Sequence, residues 1–249
     1  MLNQDTDIEN FSNNGYIIKR DFFDQKLIKL IYEQIQTNQK ALATNLLKQN
    51  FQVEGFNKKS FAIENDTLKY LKNAQFFFGT VNSLLNQHLF NFAQSLTKSN
   101  IFLKDIELHQ KMPGVSSTPP HQDNFYFCLK DMSAFTIYLA LNDQDENSGV
   151  LEVIPKSHLK NFEHKQSSAI GFSSGIDESE IDLSSVATYK LNPGDIIVHH
   201  CNIIHLANPN NSDKPRSNLA FRFFPTYPTF DESLQAKYKS FLESSVRSN

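Results

Sequence analysis

"NPGDIIVHHCNIIHLANPNNSDKPRSNLAFRFF", residues 192–224, alternates turn chemistry with short apolar runs. "NPGD" (192–195) reads as a turn and "IIVHH" (196–200) as a buried strand. "NPNNSDKP" (208–215) breaks the chain again before "NLAFRFF" (218–224). The same texture begins near Ile101. "IFLKDIELHQKM", "NFYFCLK", "AFTIYLALN", "GVLEVIP" and "ATYKL" are β-rich runs punctuated by Gly, Pro, Asn and Asp. Many short strands in series predict a mainly β fold, a double-sheet jelly roll, with helices outside it.

The preceding residues read differently. "GYIIKRDFF" suggests a short strand entering a turn. From 24 to 49, Leu27, Ile28, Leu30, Ile31, Ile35, Leu42 and Leu46 recur at three-to-four spacing, which predicts an amphipathic helix broken near 37–39. Residues 67–98 read as a second helical region, interrupted at Gly79. The expected organisation is one domain over 1–249. It comprises a mostly helical flank (1–100), a jelly-roll core (101–228) and a terminal helix (229–249). The polar stretch 160–185 is too long for a routine connection and predicts a lid or mobile insertion.

Composition narrows the function classes. The hydrophobic share of 39% and charged share of 20% suit a globular protein. Lys and Arg number 24 against 27 Asp and Glu, so no nucleic-acid or anionic-membrane partner is expected. Two cysteines make no disulfide framework. No basic leader with an apolar run opens the chain, and no apolar stretch approaches the ~20 residues of a membrane span. A cytoplasmic protein with a small-molecule partner is the expectation.

"PPHQDNFYF" (119–127) carries the chemistry. In a strand His121 and Asp123, two apart, project to one face. Alone, the pair reads more readily as an exposed polar turn with a local side-chain hydrogen bond. Two His and one carboxylate form the facial triad of non-heme iron sites, which keeps coordination positions open. The missing ligand would come from His109, His158, His164, His199, His200 or His205. Arg216, at the start of the strand after His205, can clamp a carboxylate in bidentate fashion.

Taken together, "NNGYIIKRDFF", "KMPG", "PPHQDNFYF", "YLALNDQDENSGVLEVIPKSHL", "NPGDIIVHHCNIIH" and "NPNNSDKPRSNLAFRF" resemble the phytanoyl-CoA dioxygenase family across most of the chain. The resemblance implies a double-stranded β-helix and an oxygenase using Fe(II), 2-oxoglutarate and O2. It implies that His121, Asp123 and His205 bind iron and that Arg216 pairs with the far carboxylate of 2-oxoglutarate. Lys111, in "KMPG", falls where the family often has a basic residue that helps hold the cosubstrate. His158 is given no catalytic part. An intact Asp123 favours hydroxylation over halogenation, since related halogenases carry a small residue there. Two departures stand out. Ala207 replaces a small hydroxyl residue that would bond the cosubstrate, and Phe127 replaces an aromatic that is often Trp, leaving an apolar wall. Hydroxylation of a small organic molecule is the leading expectation. Desaturation or epimerisation at the same site, and a non-catalytic jelly-roll binder with a remnant metal site, are the alternatives.

Overall fold

The computed structural model describes residues 4–48, 56–167 and 174–247. In chain order these form α1 (Gln4–Asn14), β1 (Tyr16–Lys19), α2 (Gln25–Leu47), β2 (Phe61–Glu64), β3 (Thr67–Lys72) and, after two 3-10 turns, α3 (Gln87–Ser95). There follow β4 (Ile101–Lys111), β5 (Thr118–Gln122), the single turn α4 (Asn124–Phe127), β6 (Phe135–Ala140) and β7 (Glu152–Val153). The chain continues through β8 (His164–Gln166), β9 (Ser174–Ile176), β10 (Ile196–His200), β11 (Ile204–Ala207), β12 (Arg216–Pro225) and α5 (Glu232–Arg247).

Seven strands form one sheet in the order β1-β10-β6-β12-β4-β3-β2, and three form a second in the order β5-β11-β7. The predicted jelly roll is thus present, with antiparallel pairing throughout. Alternation gives the large sheet two unlike faces. Ile106, Leu108, Ile137, Leu139, Ile196, Val198, Leu219 and Phe221 pack in one core with Ile28, Ile31 and Ile35 of α2 and Leu89 of α3. Each such buried side chain contributes about 1.5–3 kcal/mol. The other face, toward the small sheet, carries Lys111, Thr136, Tyr138, His199, Arg216 and Arg222. The "NPGD" turn enters β10 with Gly194 at φ +96, where a Cβ would lie 2.4 Å from the Phe23 carbonyl oxygen. Only glycine fits that turn.

Three local expectations are corrected. Helix α2 is unbroken at 37–39. Gln39 interrupts the apolar stripe yet is buried, because its amide bonds Gln36 Oε1 at 2.8 Å and accepts from Gln110 Nε2 at 2.7 Å. Residues 67–72 are strand rather than helix, and with β1 and β2 they bring the first 100 residues into the large sheet. Leu68 and Leu71, three apart, are both buried because the register against β2 slips at Ala62/Ile63, leaving an extra residue on β3. "NFYF" is a helical turn ending at Cys128 in the left-handed region, not a strand.

The stretch 160–185 is partly built. Strands β8 and β9 pair with each other, and His164 of β8 lies against β5 and α4. Its Nε2 accepts the Gln122 N–H at 3.0 Å, and its ring stacks on Phe125 at 4.4 Å. Residues 168–173 lie outside the described residues.

Candidate metal centre

His121 and His205 are direct Cα partners across the β5–β11 ladder, and their ring centroids are 4.1 Å apart. Backbone pairing alone brings them together. Asp123 does not share their strand, contrary to the sequence reading. It follows the end of β5 with helical backbone (φ −56, ψ −30), opening the α4 turn. Two contacts fix that bend: the Asn124 N–H donates to the Cys201 carbonyl at 2.7 Å, and the Asn124 amide donates to the Leu129 carbonyl at 3.0 Å. The carboxylate still arrives. Its Oδ1 lies 3.8 Å from His121 Nε2 and 3.6 Å from His205 Nε2. One ligand atom from each of the three residues falls within 4.8 Å of the others.

Both imidazoles are held in one tautomer. Nδ1 of His121 lies 2.8 Å from the Pro119 carbonyl and Nδ1 of His205 lies 3.2 Å from the Ile203 carbonyl. A carbonyl only accepts, so each Nδ1 carries the hydrogen and each Nε2 is turned toward Asp123. Burial, reinforced by His205, pushes His121 down to about 3 against the pull of Asp123. It is therefore neutral near pH 7. Burial acts to raise the Asp123 carboxyl, but His205, His199 and His121 around it hold it below the usual range. Two imidazole nitrogens and one carboxylate are the donor set that a divalent first-row metal takes.

His199, one of the candidate ligands in the sequence and there an ordinary strand residue, stands beside the triad. Its ring centroid is 4.6 Å from that of His205, and its Nδ1 is 4.0 Å from Asp123 Oδ2. Its position follows from register: β10 sets His199 opposite Thr136 of β6, whose hydroxyl donates to Asp123 Oδ2 at 3.3 Å. The remaining candidates point elsewhere. His109 meets Glu107 at 3.3 Å, His158 bonds the Ser12 carbonyl at 3.1 Å, His164 braces β5, and His200 packs beside Phe11.

Arg216 and Lys111 lie on the same inner face, opposite each other across β12 and β4. Nη1 of Arg216 donates to Asn218 Oδ1 at 2.5 Å and to the Tyr138 hydroxyl at 3.3 Å, and among the described residues its buried Nε has no hydrogen-bond partner. Among the described residues no carboxylate pairs with it. Arg222, on the same strand, contrasts with it by gripping Asp105 through two bonds of 2.5 and 2.6 Å. Lys111 donates to the carbonyls of Asn208 and, at 3.2 Å, Ala207. Burial, aided by Arg216 and opposed by Glu152, pushes its amine down to about 7. A buried guanidinium and amine, side by side with only neutral partners, fit an anionic ligand. Ala207 offers only its carbonyl here. Phe127 packs on Phe224 at 4.8 Å with the Arg222 guanidinium 5.5 Å above its ring, so that wall is aromatic with a cation against it. Helix α5 closes over the Asp123 turn: Tyr238 meets Tyr126 at 5.5 Å and Phe241 meets Phe125 at 5.5 Å.

The family model described as phytanoyl-CoA dioxygenase matches residues 11–218. A dioxygenase of Epichloe uncinata, lolE1, is 25% identical over 56% of this chain and 50% of its own length. Phytanoyl-CoA dioxygenase 1 of Oryza sativa subsp. japonica is 28% identical over 47% of this chain and 42% of its own. The chain thus spans about half the length of the curated relatives it matches. The fold recurs in the epimerase SnoN, solved with Fe3+, alpha ketoglutarate and nogalamycin RO (TM-score 0.66, 20% identity, 92% of this chain and 86% of that one). It recurs in EctD from S. alaskensis, solved with 2-oxoglutarate and 5-hydroxyectoine (TM-score 0.65, 18% identity, 91% and 77%). At these identities the likeness shows the fold. Among the described residues no helix is long and apolar enough to cross a membrane.

Proposed function

The chain belongs to the phytanoyl-CoA dioxygenase family, whose enzymes use Fe(II), 2-oxoglutarate and O2, and from that premise we propose that it is an Fe(II)- and 2-oxoglutarate-dependent dioxygenase hydroxylating a small organic molecule. The supporting observation is a coincidence on one inner face. Three ligand atoms converge within 4.8 Å, and a buried Arg216 without a carboxylate stands on a neighbouring strand beside Lys111. When bound, Fe(II) with the cosubstrate and O2 supplies the oxidation: 2-oxoglutarate is split to succinate and CO2, and the second oxygen atom enters the substrate as a hydroxyl.

In this reading His121, Asp123 and His205 hold the metal. The Pro119 and Ile203 carbonyls keep the two imidazoles aimed. Arg216 takes the far carboxylate of 2-oxoglutarate through Nε and its free edge, with Tyr138 and Asn218 fixing the guanidinium. Lys111 adds a proton-bearing amine beside it. Phe125, Phe127 and the α5 aromatics screen the Asp123 turn from water. Solved proteins of this fold include an epimerase and a carbocyclase, so epimerisation or desaturation at the same residues is the second reading.

Anaerobic titration with Fe(II) and then 2-oxoglutarate tests the assignment. A visible charge-transfer band that requires His121, Asp123 and Arg216 is the expected result. Iron binding without the band would turn the reading toward a non-catalytic binder, with Ala207 as the departure responsible.

A further inference from the structure

The two oxygens of Asp123 have different surroundings. Oδ1 faces the Nε2 atoms of His121 and His205 at 3.8 and 3.6 Å. Oδ2 is turned to the large sheet, where the Thr136 hydroxyl donates to it at 3.3 Å and His199 Nδ1 stands 4.0 Å away. Thr136 and His199 are Cα partners across β6 and β10, so one cross-strand pair addresses one oxygen. His199 is 3% exposed, and among the described residues its Nδ1 has no hydrogen-bond partner. A buried polar atom left unpaired carries its desolvation penalty uncompensated. The 4.0 Å separation exceeds a hydrogen bond and leaves the two groups in electrostatic contact.

We propose that His199 and Thr136 are positioning residues for Asp123, holding Oδ2 back so that the carboxylate ligates through Oδ1 alone. Carboxylates bind metals through one oxygen or two. Restraint to one keeps a coordination position free that the cosubstrate and O2 need. The inference rests on Asp123 being a ligand, as proposed above, and extends it to two residues that touch no metal.

Cobalt(II), a spectroscopic probe for this donor set, tests it on the whole chain. Metal-free protein is titrated with Co(II) and followed by visible absorption in the unsubstituted chain and in His199→Phe, His199→Gln and Thr136→Val. The expected result is that His199→Phe and Thr136→Val each weaken Co(II) binding about 10- to 100-fold and change the d–d band. His199→Gln, whose amide can donate, recovers most of both. Unfolding midpoints of the metal-free variants verify the fold, and Thr136→Val, nearly isosteric, carries the test if His199→Phe does not fold. Unchanged affinity and spectrum in the variants overturn this inference and leave the triad standing. Loss in His199→Phe that His199→Gln does not recover, with Thr136→Val unaffected, also overturns it. An unsubstituted chain that binds no Co(II) overturns both.

Discussion

Arg216 stands opposite Lys111 across the β12–β4 ladder, both side chains buried on the inner face and, among the described residues, neither paired with a carboxylate. Replacing Arg216 with Ala should therefore harm the cosubstrate far more than the metal. Loss of charged hydrogen bonds worth roughly 1.5–3 kcal/mol corresponds to about a 10- to 100-fold rise in the 2-oxoglutarate needed for half-saturation. Fe(II) affinity should stay within a few-fold. Equal loss of both, read in one titration, would make Arg216 a structural residue.

Lys111 gives a pH signature. Its amine sits at about 7 in the folded chain and near ~10.4 when unfolded. Between these values the unfolded chain binds a proton that the folded one does not. Stability of the cofactor-free protein should rise as pH climbs from 7 toward 10, at a slope approaching ~1.4 kcal/mol per pH unit. Below pH 7 this contribution is flat. Lys111→Met should remove that part of the rise, measured as urea midpoints at several pH values. Parallel curves for the two proteins would refute the assignment.

A dianion between Arg216 and Lys111 should draw a proton onto the amine. Binding of 2-oxoglutarate is then expected to take up protons above pH 7 and to weaken as pH rises. Calorimetry in buffers of different ionisation enthalpy reads the uptake directly. No uptake in the unsubstituted chain, or the same uptake in Lys111→Met, would remove Lys111 from the cosubstrate site.

Asp123→Ala removes the only carboxylate of the triad while leaving the β5–β11 ladder intact. Succinate release coupled to substrate oxidation should fall below detection, with the unfolding midpoint little changed. Undiminished turnover would exclude the triad.

Gln39 tests the packing behind the site. Its amide links α2 to Gln110 of β4, beside Arg216's strand. Gln39→Ala removes one acceptor from Gln110 Nε2, which keeps the Leu68 carbonyl, and the donor to Gln36 Oε1; it should cost about 1 kcal/mol in urea unfolding, with the metal affinity unaffected.

Much of the fold was readable because strand texture and turn residues are local signals. The "NPGD" turn and the β10 run lie where the alternation put them, and so does helix α5. Register is not local, and the misses trace to it. Residues 67–72 carry Leu68 and Leu71 at helical spacing, and only the slipped ladder against β2 makes that spacing a strand. A usable signal was present: Asn65 and Asp66, both at positive φ (49° and 59°), form the two-residue turn of a hairpin. Gln39 looked like a helix break because its partners, Gln36 and Gln110, become neighbours only in the folded helix and sheet. His199 is a candidate ligand in the sequence, but its place beside Asp123 depends on which residue of β6 stands across from it. In contrast, His121, Asp123 and His205 were singled out through ordered motifs, although the route by which Asp123 reaches the others, a bend after β5, was not foreseen.

The direct pairing of His121 with His205 bears on the order of assembly. These residues are distant in the chain and meet only when β5 and β11 zip together, through hydrogen bonds that need no ion. The ladder is a slow, non-local contact, so the ligand set cannot exist before most of the fold does. A metal ion would find no nucleus to organise on the nascent chain, unlike a zinc finger, whose folding its metal drives. Metallation is expected as the last event: iron-starved cells should accumulate folded apo-protein that becomes competent on later addition of iron.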